Sequence, residues 1–140
     1  MSDIDDLTPR EAWDLLASDE RAVLVDVRTV GEWREIGVPD TSTLGREPVL
    51  IEWLGGATHQ VNPDFLDQLA AAGVQPGDGR DLVFLCRSGV RSVAAGLAAQ
   101  AAGFGPVHNV LHGFEGDLNT ERQRGKLNGW RYEGLPWEQF

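Results

Sequence analysis

Cysteine is almost absent: the 140-residue chain carries one, Cys86. A lone cysteine cannot form an internal disulfide, so stability must come from a packed core. Long apolar runs are missing too. None approaches the roughly 20 residues that cross a bilayer, so no membrane partner is expected. Positive charge is scarce, with 12 Lys and Arg against 22 Asp and Glu, a net charge of −10. This argues against a nucleic-acid partner, although a small local anion site can oppose the net field. The first residues, Met1-Ser2-Asp3-Ile4-Asp5-Asp6, lack the basic and apolar regions of a signal peptide. Together with the free thiol, they suggest a reducing, cytoplasmic setting. There is no low-complexity tract, internal repeat or linker. The length suits one domain over residues 1–140, with a core over about 4–117 and an aromatic tail at 118–140.

What is present is an alternation of strand and helix signals. Ile4 and Leu7 suggest a short edge strand. Thr8-Pro9-Arg10-Glu11 is a helix start, with Thr8 as N-cap, Pro9 at N1 and Glu11 completing a capping box. Ala22–Arg28 reads as a buried parallel strand, with Asp26 breaking its apolar run near the carboxyl end. Gly31–Glu35 reads as a helical turn, and Pro48–Trp53 as a third strand. Leu54–Gln60 is a loop. Asn62 and Pro63 suggest N-cap and N1 of a helix whose apolar face is Phe65, Leu66 and Leu69, ending near Gly73. Leu82–Leu85 and Pro106–Leu111 are further strands, with a helix from about Val93 to Ala99 between them. Asn119–Lys126 is a weaker helix candidate. The alternation implies an α/β fold with a mostly parallel sheet of about five strands and helices on both faces.

Cys86 closes one of these strands. It is followed by Arg87-Ser88-Gly89-Val90-Arg91-Ser92 and then a helix. The thiol therefore faces loop N–H groups, the positive end of a helix dipole and two arginines, all of which favour a thiolate. The N–H groups of Arg87 through Arg91 can form an anion-holding nest. Gly89 allows a tight turn there. Arg87 and Arg91 can attract an anion, and Arg91 can instead pin the loop through Glu32.

Four stretches carry a family resemblance: Leu24-Val25-Asp26-Val27-Arg28, Glu32-Trp33, the Cys86–Ser92 loop, and Asn109-Val110-Leu111-His112-Gly113-Phe114. In this order and spacing they resemble the rhodanese family of sulfurtransferases. The resemblance implies a three-layer rhodanese-like domain and a sulfurtransferase in which Cys86 becomes a persulfide. It implies a small-molecule sulfur donor and a thiol or cyanide acceptor, with a sulfur-relay protein as a further candidate partner. No cofactor is implied. Arg87, Ser88, Gly89, Val90 and Arg91 are the expected substrate cradle. Arg28 is expected either to meet the anionic end of the donor or to clamp loops with Asp26; Asp26 and Glu32 support the site. Two departures stand out. Gly37-Val38-Pro39-Asp40-Thr41 lacks a histidine and second glycine usual in the family. Ser88 also occupies a position where many thiosulfate-using members carry lysine.

The remaining candidates have plainer readings. His59 and His108 show no metal-like spacing, so no metal is expected. His112 reads as a loop histidine, Glu115 and Asp117 as solvated carboxylates, and Trp53, Trp130 and Trp137 as packing residues. Three rival functions are a persulfide carrier, a non-catalytic interaction module and a cysteine phosphatase. Only four residues separate Cys86 from Arg91. A phosphatase loop of the Cys-x5-Arg type is longer, so the spacing favours sulfur over phosphate.

Overall fold

The computed structural model describes residues 4–55 and 60–139. Met1–Asp3, Gly56–His59 and Phe140 lie outside the described residues, and with them parts of the expected amino-terminal segment, the 54–60 loop and the aromatic tail. The elements run β1 (Asp5–Leu7), α1 (Pro9–Ser18), β2 (Val23–Asp26), α2 (Val30–Ile36), β3 (Val38–Pro39) and a 3-10 turn at Ser42–Leu44. They continue as β4 (Val49–Leu50), β5 (Leu54–Gly55), β6 (Gln60–Val61), α3 (Phe65–Ala71), β7 (Leu82–Leu85), α4 (Val90–Ala101), β8 (Val107–Val110) and β9 (Trp137–Glu138).

Five strands form one sheet in the order β1-β8-β7-β2-β4, and every pairing in it is parallel. Leu82, Val83, Phe84 and Leu85 of the central β7 are all fully buried. The sheet separates two apolar layers. On one side Phe65 and Leu69 of α3 and Ala95 and Ala99 of α4 pack on Val25, Leu82 and Phe84. On the other, Ala12 and Leu16 of α1 join Leu24, Val83 and Leu85, together with Trp130 and Leu135 of the tail. Alternate residues of β7 thus face opposite layers, as strand geometry requires.

Local chemistry accounts for the element boundaries. Both halves of the expected capping box close the start of α1: Thr8 Oγ1 accepts the Glu11 N–H, and Glu11 Oε1 accepts the Thr8 N–H. A second box opens α2, between Thr29 and Glu32. Three expectations are corrected. Asn62 does not cap α3; its side chain accepts the Asp64 N–H in a turn that delays the helix, and Asp64 occupies the N-cap. Regular pairing of the third strand stops at Leu50, although the Ile51 and Trp53 N–H groups still bond to Asp26 and Val27. Asn119–Lys126 is not helical. The Asn119 carboxamide accepts the Glu121 and Gln123 N–H groups there, drawing the backbone into turns.

The tail is packed. Trp130 and Leu135 are buried, and the Trp130 indole N–H donates to the Pro136 carbonyl. β9 pairs antiparallel with β3. Among the described residues, no helix is long and apolar enough to cross a membrane.

Candidate active site

Cys86 stands at the carboxyl end of β7 and is only 1% exposed. The chain turns through Arg87, Ser88 and Gly89, and α4 begins at Val90. Gly89 has φ +105°, a conformation side chains resist, and it caps α4. In this position its N–H donates to Cys86 Sγ at 3.0 Å. The helix dipole and this N–H both favour negative charge on sulfur. Ser92, fully buried in the first turn of α4, places its hydroxyl 3.3 Å from Sγ.

The loop is held from both sides. On the β2 side, Arg28 and Asp26 form an ion pair at 2.7 Å with neither side chain exposed. Arg28 also donates to the Gly37 carbonyl at 2.8 Å, and its guanidinium lies 4.2 Å from the centre of the Phe114 ring. Of the two roles expected of Arg28, the contacts present are those of the clamp, and its side chain is fully buried. Its guanidinium is enclosed, because the Asp26 charge, the Gly37 carbonyl and the Phe114 face surround it. It acts as a clamp joining β2 to the backbone after α2.

Glu32 reaches across to Arg91 on α4 in a bidentate pair, at 2.7 and 2.8 Å. Burial pushes the Glu32 carboxyl up, but the Arg91 hydrogen bonds, the Thr29 N–H and the charges of Arg91 and Arg28 outweigh it. The result is a carboxyl lowered from 4.5 to about 2. The same hydrogen bonds, against partial burial, raise Arg91 above its ordinary value.

On the β8 side, the turn at His112–Gly113 lies against the cysteine loop. Gly113 has φ +63°, and any Cβ there would collide with the Cys86 carbonyl and the Arg87 backbone. Its absence lets the Phe114 N–H bond to the Cys86 carbonyl at 2.8 Å and the Glu115 N–H to the Arg87 carbonyl at 3.0 Å. His112 is partly exposed and pairs with Asp117 through Nδ1 at 3.1 Å. His108 sits on β8 between Asp5 and Asp81, at 3.5 and 3.6 Å. Among the described residues, no cluster of metal-ligating side chains occurs.

Of the expected cradle, Arg87 is exposed, Ser88 and Gly89 are partly buried, and the Val90 side chain projects into solvent at 76% exposure. Arg87 and Arg91 line an open cleft of about 500 Å³ with Thr29, Glu32, Glu35 and Glu115. The larger cavity, about 720 Å³, lies between α2, β4, β6 and α3. No residue of the Cys86–Ser92 loop lines it, whereas Arg87 and Arg91 line the smaller cleft, so the chemistry is assigned to the loop and the smaller cleft. Of the three tryptophans read as packing residues, Trp130 is buried and Trp53 stacks edge-on against Phe65. Trp137 packs edge-on against Phe114 and beneath Arg131.

The sequence reading missed a run of polar contacts behind the sulfur. Ser92 Oγ meets Asn109 Oδ1, and Asn109 Nδ2 donates to Asp6 Oδ1 at 3.0 Å. Ser92 and Asn109 are buried at 0% and 3% exposure. A polar residue inside the otherwise apolar β8 was the available signal for Asn109. Asp6, on an exposed edge strand 103 residues away, left none.

The fold has parallels among solved structures. A crystal structure of a protein from M. tuberculosis superposes with a TM-score of 0.87 at 48% identity, covering 97% of this chain and 98% of that one. The solution structure of a polysulfide-sulfur transferase homodimer from Wolinella succinogenes shares the fold at 23% identity. Its TM-score is 0.64, over 99% of this chain and 80% of that one. A Rhodopseudomonas palustris protein described as a possible tyrosine phosphatase shares the fold at 24% identity. Its TM-score is 0.59, over 96% of this chain and 85% of that one. The Rhodanese-like domain family matches residues 8–119, a span containing the sheet from β2 to β8 and the whole Cys86 loop, and the chain belongs to that family.

Proposed function

We propose that the protein is a sulfurtransferase working through a Cys86 persulfide. The supporting observation is the loop itself: a cysteine at a helix N-terminus whose sulfur accepts the Gly89 N–H at 3.0 Å. In the first step the Cys86 thiolate attacks the outer sulfur of a donor. A bond forms between Sγ and that sulfur, and the donor's sulfur–sulfur bond breaks, its electron pair leaving with the remainder of the donor. In the second step a thiolate or cyanide attacks the terminal sulfur, and the Cys86 thiolate leaves. One sulfur moves between the two small molecules with no net oxidation of the protein and no cofactor.

Arg87 and the loop N–H groups receive the donor. The adjoining cleft carries Glu35 and Glu115 as well as Arg87, while the Arg91 charge is already matched by Glu32. Lacking an excess of positive charge, the cleft favours a persulfide donor over dianionic thiosulfate. Delivery to a sulfur-relay protein uses the same two steps.

The rival is phosphate-ester hydrolysis, prompted by the fold shared with a possible phosphatase. Four residues between Cys86 and Arg91 make a short ring. Both terminal nitrogens of Arg91 also bond Glu32, so the arginine that would hold a phosphate is engaged. The test combines wild type and Cys86→Ala with persulfide and thiosulfate donors plus cyanide, and in parallel with an aryl phosphate. Thiocyanate from wild type alone, with no phosphate release, supports the proposal. Phosphate release without thiocyanate overturns it.

A further inference from the structure

The Ser92 hydroxyl has one proton and two claimants, Cys86 Sγ at 3.3 Å and Asn109 Oδ1. Asp6 decides between them. Its ionised carboxylate only accepts hydrogen bonds, so it draws the Asn109 Nδ2 donor towards itself at 3.0 Å. The other end of the same amide, an acceptor, is thereby turned to Ser92. We infer that Asp6 and Asn109 form a proton lock: they keep the Ser92 O–H donating to Asn109 Oδ1, so that Ser92 accepts the S–H of a resting Cys86 thiol. Asp6 and Asn109 are positioning residues, because neither contacts sulfur and both act through Ser92.

Ionisation then requires rearrangement. The thiol proton leaves to solvent, and the Ser92 hydroxyl turns from Asn109 to donate to the thiolate. This sets the neutral chain against the Gly89 N–H and the α4 dipole, which favour the thiolate at all times. The lock limits adventitious oxidation, since the thiolate is the oxidisable form. The charged groups around the loop are Asp26 and Arg28 from β2, Glu32 from α2, Arg91 from α4, Arg87 of the loop itself, and Glu115 and the His112–Asp117 pair after β8. None of them contacts Ser92 Oγ or Asn109 through a hydrogen bond in the described residues. The inference rests on Cys86 being the nucleophile, but its readout is thiol ionisation rather than turnover, so it fails separately from the sulfurtransferase reading.

The experiment follows the ultraviolet absorbance of the Cys86 thiolate against pH, with Cys86→Ser subtracted, in wild type, Asp6→Ala and Asp5→Asn. Asp6 is on the surface, so the fold survives its replacement. In Asp6→Ala the amide is free to turn, Ser92 donates to sulfur, and the thiolate fraction below the titration midpoint rises about tenfold. Asp5→Asn removes a neighbouring charge of the same edge strand, whose side chain faces His108 rather than Asn109, and keeps the wild-type profile. An unchanged profile in Asp6→Ala overturns the lock. An equal shift in both variants also overturns it, by showing a simple charge effect. Asn109→Ala, which deletes the competing acceptor, shifts the profile in the same direction as Asp6→Ala; a shift to higher pH contradicts the lock.

Discussion

The two flanks of the Cys86 loop are built from different chemistry. On the β2 side the contacts are ionic: Asp26 with Arg28, and Glu32 with Arg91. On the β8 and β1 side they are neutral until the surface is reached: Ser92, then Asn109, then the exposed carboxylate of Asp6. The ionic flank never touches the sulfur through a hydrogen bond. It fixes where the loop sits, since Arg28 ties β2 to Gly37 and Glu32 ties α2 to α4. The neutral flank touches the sulfur directly and governs its proton. Position is thus held by the ion pairs, and the sulfur feels both the steady field of Arg91 and the Ser92 hydroxyl, which can turn.

This division can be broken at either side, and the expected effects differ in kind. The largest is at the junction. Cys86→Ala should lower sulfur transfer by at least about 10³-fold in a thiocyanate assay while leaving the fold intact by circular dichroism. On the ionic flank, Arg28→Ala leaves Asp26 charged and buried without its partner. Denaturant unfolding should show a loss of about 3–5 kcal/mol. Replacing both members by apolar residues of similar volume should recover much of that loss, because no uncompensated charge remains.

Glu32→Gln should cost less, about 1–2 kcal/mol, because that pair is partly open to solvent at 20% exposure on each side. Its cost depends on pH with a definite sign. The Glu32 carboxyl is lowered from 4.5 to about 2 in the folded protein. The stabilisation is complete above 4.5 and is lost as pH falls through about 2. Unfolding curves of wild type and Glu32→Gln should therefore differ at neutral pH and converge in acid. The smallest change belongs to the neutral flank. Asp6→Ala should lower stability by about 1 kcal/mol in unfolding experiments at neutral pH, because the buried Asn109 amide loses its acceptor, while still moving the thiolate profile. A large stability loss there would erase the distinction between the flanks.

Much of the ionic flank was legible in the sequence. Cys86 and its loop stood out because a strand, a glycine turn and a small-residue helix follow one another without interruption. Glu32 and Arg91 could be matched because each lies at the start of a helix beside a strand end. The two flanking strands and the capping box at Thr8 follow from local pattern alone. Arg28 was legible only as one of two alternatives. Sequence shows a charged residue at a strand end but not that Phe114, 86 residues later, would roof it. The neutral flank was less accessible still, since it joins three elements through side chains of ordinary polarity. Asn62 misled for a local reason: its carboxamide bonds the Asp64 N–H and builds a turn where a cap was expected. The tail offered aromatics without periodicity. Its packing comes from long-range contacts, Trp130 against the α1 layer and β9 against β3.

Everything proposed for the loop depends on Cys86 carrying the sulfur. Intact-mass measurement after incubation with a persulfide donor, followed by removal of excess donor, tests it most directly. Wild type should gain one sulfur atom per chain, localised to Cys86 by peptide mapping and lost on adding cyanide, and Cys86→Ala should gain none. A wild-type protein that gains no sulfur from persulfide or thiosulfate donors, or an alanine variant that gains as much, would contradict it.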